Sequence, residues 1–429
     1  MIFTKNVLEK LVLVILLFCC FGIILFDIYN KDFVCISILG IEIYMLFKSR
    51  KNIYLFFCYL CFFYFDYSVI FGKYIGKPIS RLTGLYIQLP STSPAYYQGI
   101  VSLLIFHIII SLCITKIKNT ENFKIINEEK KYAKSNLISL VCTFGIAFIV
   151  VDYVFFKFLI KSRQIYEYAN ILFVFGFYLS QNNKKIKNIL IILMLISTAS
   201  NALTGGRVIS LMPMICYFVL YIVNKINYRQ AFVFFVMIVI VYTAHGLYGD
   251  IVDYNVSYKE AFNSINISSV FNAIKDRKFT LDTSVSAYFT GITFIQSRNY
   301  IQKSEVINNF LKFLTTYTIL GGKSGYVNLV DISSRYFLHY NGGYITSFFF
   351  FWLGYYGVFL IGIYIGILLN IIATLDENTS EFKRILIIYI ISEIPRWYLY
   401  YPTPLFRGMM FLIVLYIVFF KVLNYKNSI

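Results

Sequence analysis

The sequence predicts an all-α polytopic membrane protein, and three observations carry that reading. Hydrophobic residues make up 59% of the 429-residue chain and charged residues only 14%, too little polar surface for a soluble protein of this length. The mean hydropathy is correspondingly high, at +0.70. Apolar stretches close to the length of a membrane span recur along the whole chain, and lysine and arginine gather in alternate connections between them. The formal charge of +18 follows from those connections. No DNA- or RNA-binding motif accompanies it, so nucleic acid is excluded as a partner and the bilayer takes its place.

A helix needs about 20 mainly apolar residues to cross a bilayer. By that rule about twelve transmembrane helices are expected, over 11–26, 33–47, 53–72, 96–115, 137–156, 168–180, 189–203, 208–223, 231–245, 355–373, 385–401 and 404–420. The first stretch, "MIFTKNVLEKLVLVILLFCCFGIILF", has the basic start and apolar core of a signal peptide. It has no small-residue cleavage site before "DIYNKD", so it is expected to be kept as the first span. With the N-terminus inside, short inner segments carry 20 lysines and arginines against 8 in short outer ones, a bias that puts both termini in the cytoplasm. The chain is then read as 1–245, an N-terminal bundle of about nine helices; 246–343, one large extracytoplasmic loop; and 344–429, the C-terminal helices. The loop is turn-rich ("LYGDIVDYN", "LGGKSGYVN", "HYNGGY") and is expected to hold short helices. The apolar run 344–374 exceeds one span by about ten residues. Gly354 and Gly357 divide it, so "YITSFFFFWL" is expected as an interfacial or re-entrant helix.

All eight cysteines lie in apolar stretches, and Cys58 and Cys61, although spaced CxxC, lack a second ligand pair and read as packing residues. Among ionisable residues in or beside the spans, Arg207, Arg396, Arg407, Asp66 and Asp152 are assigned to outer ends, and Glu42 to the inner half of its span. His107, in "LLIFHIII", reads as a packed residue.

Three stretches hold the candidate chemistry. In "TGGRVISL", Thr204 can cap a helix while Gly205 and Gly206 let a ligand approach its free N–H groups. Arg207 adds a guanidinium to the positive helix end, a combination suited to phosphate or pyrophosphate; the plain alternative is a tight turn with an interfacial arginine. In "EIPRWYLYYPTPLFRG", Glu393 and Arg396 can pair at i, i+3, or Arg396 can act with Arg407 on a ligand. Trp397, Tyr398, Tyr400 and Tyr401 fit an aromatic belt. In the large loop, Arg298 and Arg335 are candidate anion ligands and His339 a candidate base, since histidine titrates near neutral pH and can take a hydroxyl proton. If 335–339 is helical, Arg335 and His339 share a face. The alternative for His339 is a hydrogen-bonded turn with Asn341.

Four passages together resemble the bacterial O-antigen polymerases, the Wzy-type oligosaccharide repeat-unit polymerases. They are "TGGR" opening a mid-chain helix, "SAYFTGITFIQS" in the external loop, "HYNGGYITSFFFFWLGYYGVFLIG", and "IPRWYLYYPTPLFRG", spread over roughly residues 185 to 420. The resemblance implies a GT-C-like helical bundle in the inner membrane. It also implies donor and acceptor substrates that are oligosaccharide repeat units on undecaprenyl diphosphate, polymerised at the outer membrane face. It implies no cofactor and no metal, and a pathway shared with a flippase and a chain-length regulator. By the same resemblance Arg207 clamps the pyrophosphate with Arg298 or Arg335, and His339 stands where related ligases keep a histidine base; the residues themselves add Gly205, Gly206, Asn341, Arg396 and Arg407 as substrate-binding candidates. A flippase for lipid-linked oligosaccharides and an O-antigen ligase are the rival readings.

Overall fold

The computed structural model describes residues 5–28, 30–70, 93–120, 123–125, 134–152, 164–203, 207–253, 268, 286–320, 326–337 and 342–424. Among these residues there is no strand; the fold is all-helical. The chain divides into two units interleaved along the sequence. One comprises Met1–Lys118, Thr280–Thr374 and Trp397–Pro402, the other Asn119–Phe279, Leu375–Arg396 and Thr403–Ile429.

Four helices of the first unit come first: α1 (Lys5–Leu25), α2 (Lys31–Ser49), α3 (Ile53–Ile70) and α4 (Pro94–Cys113). Capping sets their starts. Asn30 accepts the Phe33 N–H at the head of α2, and Ser93 accepts the Tyr96 N–H at the head of α4, with Pro94 in the first turn where no N–H is needed. In the second unit follow α5 (Ser135–Val151), α6 (Gln164–Leu179), α7 (Lys184–Leu203), α8 (Arg207–Tyr221) and α9 (Tyr228–Asp253). Asn227 and Gln230 cap α9 reciprocally, each side chain accepting the other's backbone N–H at 2.9 Å.

The chain then returns to the first unit with α10 (Ser286–Ser297), α11 (Lys303–Lys312, continued by a π-helical turn over Phe313–Leu320), the short α12 (Leu329–Ser333), α13 (Ile345–Leu353) and α14 (Tyr355–Ala373). Helix α15 (Glu381–Ser392) belongs to the second unit, α16 (Ile394–Leu399) is divided at Arg396 with Trp397–Leu399 in the first, and α17 (Met409–Asn424), entered through the π-helical turn Pro404–Gly408, belongs to the second.

Among the described residues, each of the twelve stretches expected to span falls largely on helix. Val7–Leu25, Pro94–Cys113, Lys184–Ala202, Tyr355–Ala373 and Pro404–Lys421 are long and apolar enough to cross a membrane. One expected span is not a single helix. The 385–401 stretch stops at Ser392 and restarts at Ile394, because Pro395 has no N–H to give the carbonyl four residues back. The 344–374 run divides at Gly354, as its composition predicts. At φ 65° and ψ −148° this residue turns α13 into α14. Gly357 lets the two helices cross closely, since a Cβ there would stand 2.1 Å from the Phe349 carbonyl oxygen.

In the first unit α4 is the hub and packs against α1, α2, α10, α13 and α14, which explains why it is buried on all sides. Gly362 and Gly366 of α14, four residues apart, face Ile109 and Cys113 of α4 and bring the two backbones close. The second unit is built on α5, α6, α7, α8 and α15. Its Arg384, although buried, satisfies its guanidinium on four carbonyls, those of Thr379, Lys124, Ile125 and Glu377. Apolar faces also point outward. Leu137, Val141, Phe144 and Phe148 form one exposed stripe on α5, and Tyr356, Leu360, Ile363 and Ile367 another on α14. Stripes at i, i+4, i+7 and i+11 that are apolar both inside and out suit a lipid surround.

Candidate functional site

Three passages that lie far apart in the sequence meet inside the first unit. Helix α10, "SAYFTGITFIQS", lies against the Gly342–Gly343 turn and α13. Small residues make the approach possible. A Cβ on Gly291 would meet the Tyr344 ring at 2.4 Å, and one on Gly343 would meet the Phe294 ring at 2.4 Å. The Gly343 N–H donates to the Leu399 carbonyl at 3.1 Å, so the tail of α16 is pinned to the same turn. Gly342, at φ 103°, lies under the Tyr400 ring. Thr293 of α10 accepts the Ser333 hydroxyl, which anchors α12 beside them.

Arg298 follows α10 directly and stacks on Phe350, 5.7 Å from the ring centroid. Its guanidinium runs along the bare face of Gly354, where a Cβ would stand 3.2 Å from Nη1. Burial holds its pKa below the ordinary arginine value. Among the described residues no carboxylate pairs with it. A guanidinium is the side-chain group best shaped to take an anion such as phosphate in two parallel hydrogen bonds.

The other expected site residues are distributed differently. Arg335 is exposed in the turn after α12, and the chain leaves helical geometry by Phe337, so the helix that would align Arg335 with residue 339 stops short. His339, Asn341, Gly205 and Gly206 lie outside the described residues. Arg207 is the first residue of α8, as "TGGR" predicts. In the second unit Arg407 stacks over Tyr168 and Phe411, at 5.3 and 5.7 Å. Arg396 lies in the first turn of α16, its N–H donating to the Glu393 carbonyl. The Glu393 carboxylate accepts from Asn170 Nδ2 at 2.7 Å. Trp397 and Tyr398 are not belt residues: both are buried, since the break at Glu393 and Pro395 turns α16 into the core of its unit.

The structure also assembles a polar cluster that the sequence reading dispersed. Glu42 of α2, Asp66 of α3, His107 of α4 and Tyr398 of α16 converge in the interior of the first unit, none of them more than 2% exposed. His107 Nε2 lies 2.7 Å from Asp66 Oδ2 and 3.7 Å from Glu42 Oε1. The Tyr398 hydroxyl reaches both Asp66 oxygens, at 2.7 and 2.6 Å. Rings of Phe62 and Phe106 close over the imidazole. Asp66 is therefore buried against other helices, and His107 is hydrogen-bonded as well as packed. The available signal was an ionisable residue in each of three consecutive apolar helices; their shared depth was not readable. Glu42, Asp66 and His107 are also metal-ligand types whose donor atoms all lie within 4.8 Å of one another.

Comparison with protein-family models, with curated proteins and with solved structures yields no match.

Proposed function

We propose that this chain is a membrane glycosyltransferase of the O-antigen polymerase kind. It joins oligosaccharide repeat units carried on undecaprenyl diphosphate at the outer face of the inner membrane. The observation that carries the reading is the convergence around Gly342–Gly343. Three of the four passages that resemble the polymerases meet there, although "SAYFTGITFIQS" and "IPRWYLYYPTP" begin more than a hundred residues apart, with the anion-seeking Arg298 beside them.

The chemistry asks for two things. A hydroxyl of the acceptor sugar attacks the anomeric carbon of the growing glycan, and the bond from that carbon to the lipid diphosphate breaks. The proton must go to a base and the departing diphosphate must be stabilised. Arg207, with Arg298 or Arg335, is the leaving-group ligand in this reading and His339 is the base. Arg396, Arg407, Gly205, Gly206 and Asn341 contact the glycan or lipid head. In this reading the chain crosses the inner membrane about twelve times, with both termini cytoplasmic and 246–343 outside.

The test is a gel of surface polysaccharide from a strain lacking this gene, complemented with wild type, Arg207→Ala or Arg298→Ala. The expected outcome is a ladder that collapses to core plus one repeat unit and returns with wild type alone. Losing one charged contact to the leaving group should cost polymerisation at least about 100-fold. Loss of every glycan band, the single unit included, would assign the chain to a flippase or ligase instead.

A further inference from the structure

We infer that Glu42, Asp66 and His107, closed by Tyr398, form a structural site for a first-row divalent cation, zinc or manganese, in the interior of the first unit. The inference is independent of the polymerase reading. Two carboxylates lie side by side where water does not reach them, with Glu42 and His107 fully buried and Asp66 nearly so. Two adjacent anions in such a place must be neutralised. The protein provides only part of that. The Tyr398 hydroxyl and the imidazole serve Asp66, while among the described residues neither Glu42 oxygen receives a side-chain or backbone donor, and Glu42 Oε1 faces His107 Nε2 across 3.7 Å. A fully buried carboxylate pointing into a cluster of ligand atoms with nothing bound to it is what an ion would complete.

Charge and geometry both suit a dication. Two carboxylates, a neutral imidazole and one M²⁺ sum to zero, the only total that a dry interior tolerates cheaply. A point central to three donors that all lie within 4.8 Å of one another sits at most about 2.8 Å from each. Small side-chain rotations then reach the usual 2.0–2.2 Å to nitrogen and oxygen. One imidazole with two carboxylates favours zinc or manganese, whereas calcium asks for six to eight oxygens. The Tyr398 oxygen, 3.5 Å from Nε2, stands where a fourth position would fall. Because the four side chains are buried and phenylalanine rings pack against the imidazole, the role is to tie α2, α3, α4 and α16 together.

The experiment uses the full chain, purified in detergent without chelators. Elemental analysis is expected to find about one zinc or manganese per chain. Glu42→Gln, which keeps the shape but removes the charge, should lose it; Glu305→Gln, at an exposed carboxylate, should keep it. Stripping the wild type with EDTA should lower its melting temperature, and Zn²⁺ or Mn²⁺ should restore it. That arm decides the matter even if Glu42→Gln fails to fold. A metal-free wild type whose melting ignores both ions overturns the inference and assigns the charge balance to protons. Metal retained in Glu42→Gln overturns it equally, by placing the ion elsewhere.

Discussion

Gly354 has the backbone conformation φ 65°, ψ −148°, a region that side chains with a Cβ scarcely enter. It is also the surface along which the Arg298 guanidinium lies. Gly354→Ala would therefore strain the α13–α14 corner and push on Nη1 together. The expected result is a loss of about 1–3 kcal/mol of stability, read as a lower melting temperature in detergent. An unchanged melting curve would mean that the corner relaxes without cost. The break was legible at this scale, because a glycine inside an apolar run too long for one span has few other uses. Arg384 was legible only as a charge on an inner connection. That it is buried and grips four carbonyls depends on where 124–125 and 377–379 fold back, which no local pattern reports.

Helix contacts follow the same division between what periodicity tells and what it withholds. Hydropathy located the helices because the cost of dehydrating a backbone forces an apolar stretch to be helical whatever its neighbours. It could not choose partners, because a helix apolar on every face offers no preferred side. The choice was made by small residues. Gly362 and Gly366 on α14 select α4, and the two make different demands: an added Cβ would come 3.1 Å from Ile109 at Gly362 but 2.6 Å from the Cys113 Cβ at Gly366. Gly366→Ala should cost about 1–3 kcal/mol through overpacking, and Gly362→Ala markedly less. Gly22 in α1 and Gly40 in α2 meet nothing within 4 Å, so alanine there should stabilise by about 0.5–1 kcal/mol through helix propensity alone. Thermal unfolding of the four variants tests the order, and equal effects at 362 and 366 would refute glycine-mediated packing. The Glu42, Asp66, His107 and Tyr398 cluster escaped the sequence for the same reason. Its members lie on four separate helices, and burial alone does not say which buried faces meet.

For the molecule as a whole, apolar faces that are exposed on α1, α5, α7, α9, α14 and α17 imply a lipid surround, and loop charge then sets the orientation. Asn299 after α10 and Lys225 between α8 and α9 are both exposed, and the proposed topology puts the first outside and the second inside. Cysteines introduced at these positions separate the alternatives. Six of the eight cysteines are buried; Cys113, half-buried, and Cys19, exposed in the apolar helix α1, are replaced by serine to give a low background. A membrane-impermeant maleimide applied to spheroplasts should label Asn299→Cys at once and Lys225→Cys only after permeabilisation. The reverse pattern would invert the chain in the membrane. It would also carry Arg298 to the cytoplasmic face, where the proposed polymerisation outside the cell could not be served. Orientation is thus the property on which the enzymatic reading depends most directly, and it rests on the distribution of lysine and arginine among short connections, a feature no single residue or helix contains.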